Sequence, residues 1–102
     1  MGIEFTAKFE KEVSPSTLNE VVRAISSNPD YKPVKIDGYR LSLQYADPKE
    51  RSTWSEDIEM NMNEREAYLL FHFGSRDAIN RFVKLVESVL AANNIRYVLQ
   101  EE

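Results

Sequence analysis

The sequence predicts an α+β domain: a two-layer sandwich with two helices on one face of a mainly antiparallel sheet of about five strands. Three observations carry this. Several segments alternate apolar and polar residues with a period of two, the mark of strands with one wet face. Two others repeat apolar residues at i, i+3, i+4 and i+7, the mark of amphipathic helices. The chain has 102 residues, 42% hydrophobic and 29% charged, which suits one packed core. Residues 1–102 are therefore read as a single α+β domain.

The elements follow in order. Ile3, Phe5, Ala7 and Phe9 alternate with Glu4, Thr6, Lys8 and Glu10, giving a first strand. Ser14-Pro15 then opens a helix, because serine caps free amides and proline is tolerated at the first helical position. Thr17 and Glu20 offer a competing capping box. Leu18, Val21, Val22 and Ile25 form one stripe, and Asn28-Pro29 ends it, since the residue before proline disfavours helix. Residues 29–38 read as a connector in which Val34 and Ile36 form a short strand before the Asp37-Gly38 turn. Tyr39, Leu41, Leu43 and Tyr45 alternate with polar residues in a firm second strand.

Residues 46–56 are polar and read as a loop. Ile58, Met60 and Met62 alternate with Asp57, Glu59 and Asn61, and residues 67–73 are the most apolar run. Setting Met62 against Ala67 brings Met60 to Leu69 and Ile58 to Phe71, so the core faces of a hairpin match. Gly74-Ser75 starts a second helix with the stripe Ile79, Phe82, Val83, Val86 and Leu90; Asn93-Asn94 stops it. Ile95, Tyr97 and Leu99 mark a last strand. The order β-α-(β)-β-β-β-α-β resembles a ferredoxin-like βαββαβ plan with an inserted strand.

Composition narrows the function classes. The chain has no cysteine, so disulfides and thiolate metal sites are excluded and a cytoplasmic location is expected. No apolar run approaches the roughly 20 residues that span a bilayer, and residues 1–5 lack the basic-then-apolar pattern of a secretory signal; no membrane partner is expected. The net charge of −4 argues against nucleic acid, which normally meets a basic surface. The run from Arg65 to Phe73 departs from the RNP1 pattern of RNA-recognition domains, with Ala67 and Leu69 where stacking aromatics are required.

The charge is unevenly distributed. Asp47, Glu50, Glu56, Asp57, Glu59, Glu64 and Glu66 face only Lys49, Arg51 and Arg65 within residues 46–66, a balance of −4 that equals the whole chain's. Trp54 sits in this segment with Tyr45 at its start. An exposed tryptophan amid carboxylates suits a protein partner with a basic surface, so Trp54, Tyr45, Glu56, Asp57 and Glu59 are the expected partner-binding residues; a Trp54 folded back onto the core is the competing expectation. Tyr68, Leu70, His72 and Val98 mark the sheet face away from the helices, open to self-association or a ligand. Ala78, Leu85, Val89 and Ala92 form a second apolar flank on the second helix.

No catalytic set and no cofactor is assigned. His72 is the single histidine. The hairpin register puts it opposite Asp57, a general-base arrangement that more often is a surface cross-strand pair. Asp57, Glu59 and Glu56 are considered as ligands for a hard cation, but alternation sends Glu56 to the opposite face, and no metal site is assigned. The leading expectation is a non-catalytic protein-binding domain of immunity or inhibitor type, neutralising a basic partner such as a nuclease toxin. The alternatives are a self-associating or small-ligand-binding module, and a small enzyme using His72 and Asp57.

Overall fold

The chain runs through β1 (Ile3–Phe9), α1 (Pro15–Ser26), β2 (Tyr31–Asp37), β3 (Arg40–Tyr45), β4 (Ile58–Met62), β5 (Glu66–Phe71), α2 (Arg76–Ala92) and β6 (Tyr97–Glu101) in a computed structural model that describes residues 2–102. The strands form one sheet in the order β2-β3-β4-β5-β1-β6, with every neighbouring pair antiparallel. The α+β class is as expected, but the sheet has six strands rather than about five.

The sixth strand is β2, which runs from Tyr31 to Asp37 where only a short strand at Val34 and Ile36 was expected within a proline-containing connector. Pro33 pairs with Leu43, and the register shifts between Pro33 and Lys35. A proline is tolerated here because β2 is an edge strand and a bulge interrupts its ladder. Lys32 and Lys35 on the same edge discourage pairing with another chain.

The β4–β5 hairpin adopts the expected register, with Met62 opposite Ala67, Met60 opposite Leu69 and Ile58 opposite Phe71. The same face continues through Phe5 and Ala7 on β1 and Leu41 and Leu43 on β3. The Ser14 and Ser75 side chains accept the backbone N–H groups of Thr17 and Ala78, capping both helices. Leu18, Val21, Val22 and Ile25 of α1 and Ile79, Phe82, Val83, Val86 and Leu90 of α2 join the sheet residues in one buried cluster. Ala78 and Val89 of the second α2 flank are buried as well, whereas Ala92 is exposed. The left-handed φ of 59° at Asn94 ends the α2 region.

Two tyrosines belong to this core. Tyr31 lies against Phe82 with ring centroids 5.0 Å apart and against Tyr45 at 6.2 Å. Burial, aided by Asp30 and Glu50 and opposed by Arg81, pushes the Tyr31 phenol up to about 12. Burial, then Tyr31, Asp57 and Glu50, raises Tyr45 as well. A raised folded-state value means that the unfolded chain releases these protons first, from pH 10 upward. The stabilisation is therefore complete below pH 10 and is lost as pH rises through 12. Urea denaturation should show a midpoint steady to about pH 9.5 that then falls, with Tyr31 alone costing roughly 3 kcal/mol by pH 12. A Tyr31→Phe variant should lose part of that alkaline drop.

Candidate functional site

The end of the sheet where β3 and β5 finish and β4 begins holds most of the residues singled out in the sequence. The organising group is Asp57. Its position places it on the outer sheet face, yet it is 0% exposed. The loop 46–57 folds over it. One carboxylate oxygen accepts the Tyr45 backbone N–H at 3.2 Å; the other accepts the Ser52 backbone N–H at 3.1 Å and the Ser52 hydroxyl. Asp57 thus holds its loop to the end of β3, and no side of it is left for a partner.

The rest of the loop is tied down in the same way. Arg51 donates to the carbonyls of Tyr45 at 3.2 Å and Ala46 at 3.0 Å, and Glu50 pairs with Arg81 of α2. Tyr45 is a core residue at 2% exposure, not a surface contact. Its hydroxyl donates to the Phe73 carbonyl at 2.9 Å. That bond needs Gly74: a Cβ there would stand 2.2 Å from the Tyr45 hydroxyl oxygen, and Gly74 has a φ of 143° that side chains disfavour.

Trp54 emerges from this braced loop 71% exposed. Its backbone is held on both sides, with its N–H donating to the Ser52 hydroxyl at 3.1 Å and its carbonyl accepting from the Gln44 side chain at 3.2 Å. The indole does not fold back onto the core. Phe73, 47% exposed, lies at the same end of the sheet.

Glu56, Glu59 and His72 come together on the outer face, with one ligating atom from each lying within 4.8 Å of the others. His72 Nε2 is 3.5 Å from Glu59 Oε1. The expected side-chain pairing of His72 with Asp57 is replaced by this diagonal contact. The backbone register itself is as expected, since the His72 N–H donates to the Asp57 carbonyl at 2.8 Å. Glu56 is on the same face as Glu59, not the opposite one, because it precedes β4 and strand alternation does not govern it. Hydrogen bonding from Glu59 and then from Ser42 holds the Glu56 carboxyl below the usual range; His72 and Lys35 add to this, and burial opposes it.

The acidic charge of residues 46–66 is dispersed. Asp57 is internal, Glu50 is paired, and Glu64 and Glu66 flank the β4–β5 turn at the far end. Asp47 is exposed at the start of the loop, where it accepts the Lys49 N–H at 2.9 Å, and Glu56 and Glu59 remain on the outer face near the loop's end. The remainder of the outer face is partly closed. Tyr68 donates to Glu4, Thr6 donates to Glu102 at 3.1 Å, and Gly2 lies over Leu70. Val98 on edge strand β6 is 65% exposed. Two surface cavities of about 300 and 330 Å³ open at the opposite end, around Glu10, Lys11, Asn94 and Arg96 and around Ser14, Thr17 and Ile95. No helix among the described residues is long and apolar enough to cross a membrane.

The sequence left two features of this site unseen: the burial of Asp57 and the return of Glu56. Their one signal was Ser52, a hydroxyl five residues before an aspartate in a polar loop. No protein-family model, curated protein or solved structure matches the chain.

Proposed function

We propose that this chain is a non-catalytic protein-binding domain of inhibitor or immunity type, whose partner presents a basic surface such as that of a nuclease toxin. The observation that carries the reading is Trp54: 71% exposed, on a loop whose backbone is fixed by a buried carboxylate. An aromatic side chain displayed on a rigid support loses little conformational entropy on binding, which is what makes such residues anchors. Glu56 and Glu59 stand ready for a cationic side chain of the partner, and Phe73 extends the apolar area. A cytoplasmic setting goes with this reading, since a chain without cysteine loses nothing in a reducing compartment.

We also read the connectivity as a ferredoxin-like plan, β1-α1-β4-β5-α2-β6, with the hairpin β2–β3 inserted after α1. The support is that omitting β2 and β3 leaves four antiparallel strands in the order β4-β5-β1-β6.

The test uses the single tryptophan as its own probe. The purified chain is titrated with the product of the gene beside its own and, as a control, with an unrelated protein of equal positive charge. Binding should shift Trp54 emission to the blue and shield it from acrylamide. Trp54→Ala should weaken the complex at least about 30-fold, the loss of one anchor. Reversing Glu56 and Glu59 to lysine should flatten the salt dependence. Unchanged affinity in both variants would remove the reading. The exposed Val98 favours one alternative, association of two copies through the outer sheet face; sedimentation at micromolar concentration separates the two, because a strict monomer rules it out.

A further inference from the structure

We infer that Glu56, Glu59 and His72 form a site for one divalent transition-metal ion, with zinc the best-fitting ion. The three donors come from three separate backbone segments: the end of the 46–57 loop, the second residue of β4, and the residue after β5. Hydrogen bonding within the sheet and the bracing of the loop bring them to one point, with the donor atoms within 4.8 Å of one another.

The spacing fits. Ligands held about 2.0–2.1 Å from a tetrahedral zinc ion lie roughly 3.4 Å apart, and His72 Nε2 and Glu59 Oε1 are 3.5 Å apart. Glu56 brings a carboxylate oxygen within 4.8 Å of both of these atoms. The donor types also discriminate. One imidazole with two carboxylates suits zinc and its neighbours, whereas magnesium and calcium seek an all-oxygen shell with more ligands. Three protein donors leave a fourth position for water.

The surroundings fit as well. Ser42 stands opposite Glu59 in the β3–β4 ladder, placed to orient a ligating carboxylate as outer-shell hydroxyls do. The Asp57 anchor fixes the backbone on which Glu56 is carried. The site goes beyond the partner-binding reading and does not depend on it. It shares Glu56 and Glu59 with that surface, so an ion and a cationic partner group would bind in competition.

Calorimetric titration of zinc chloride into the tag-free full chain tests the site in the absence of any partner. One saturable equivalent is expected, with the imidazole resonances of the single histidine shifting in step. His72→Ala and Glu59→Gln should each weaken binding by at least about tenfold, since loss of an outer-shell partner alone costs ~10–100-fold. Glu64→Gln, at the far end of the sheet, should change nothing, and circular dichroism should show all variants folded. Magnesium chloride should give no saturation. Absence of saturable zinc binding below millimolar concentration, or equal binding by His72→Ala and Glu59→Gln, overturns the inference. A failure here leaves the partner titration untouched, and a failure there leaves this one untouched.

Discussion

Replacing Asp57 with alanine should destabilise the domain by about 3 kcal/mol or more and free the loop that carries Trp54. The carboxylate is fully buried and accepts from the Tyr45 N–H, the Ser52 N–H and the Ser52 hydroxyl. Bonds to a charged acceptor contribute roughly 1.5–3 kcal/mol each, and stranding a buried donor adds about 1–3 kcal/mol. Relaxation of Ser52 toward solvent recovers part of this, but the Tyr45 amide has no such escape. Asp57→Asn should cost about half as much, because the amide keeps one acceptor and turns a donor toward the other N–H. Urea midpoints report the stability change. Trp54 anisotropy reports the loop, and it should fall in Asp57→Ala while the helical circular dichroism is retained. A loop that stays rigid would show that Arg51 and the Glu50–Arg81 pair hold it without Asp57. Because Trp54 and Glu56 ride on that loop, the same variant should weaken both proposed binding events without touching Trp54 or any of the three proposed ligands.

The strand register was legible in the sequence because it depends on alternation, a local property. Met60 reaches Leu69 and Ile58 reaches Phe71 as the pattern requires. The helix caps at Ser14 and Ser75 were legible for the same reason. What alternation cannot carry is the path of a loop over a sheet. It placed Asp57 correctly on the outer face, but outer-facing became buried once residues 46–56 folded across it. Glu56 was sent to the wrong face because the period of two was extended one residue beyond the strand's reach. Pro29 and Pro33 marked residues 29–38 as a connector with only a short strand, and the full length of β2 rests on a pairing that only the neighbouring β3 could reveal. The cluster at the site is thus assembled from a strand, a loop end and a strand end. Only the central member, Glu59, sits where pattern alone decides its direction.

Phe82→Ala should be the costliest single truncation, about 3–5 kcal/mol, a large share of the 5–15 kcal/mol that stabilises a typical domain. Phe82 is fully buried and joins three parts of the molecule. Its ring meets Phe71 of β5 edge to face at 5.8 Å, and Tyr31 of β2 at 5.0 Å. Phe71 passes the contact on to Phe5 of β1 at 5.9 Å. Each such ring pair contributes about 0.5–1.5 kcal/mol beyond the area it buries, so the truncation loses two pairs as well as a side chain. The cavity would open between α2 and the edge strand, where β2 is exposed after Tyr31. Phe82→Leu retains most of the volume and should cost less than about 1.5 kcal/mol. Chemical denaturation measures both. A second readout separates local loosening from uniform loss. If the hole forms beside Tyr31, its phenol is better hydrated in Phe82→Ala and titrates closer to 10, so the alkaline fall in stability should shrink in that variant and persist in Phe82→Leu. An undiminished alkaline fall in Phe82→Ala would mean that the core collapses onto Tyr31, with β2 drawn inward to fill the space.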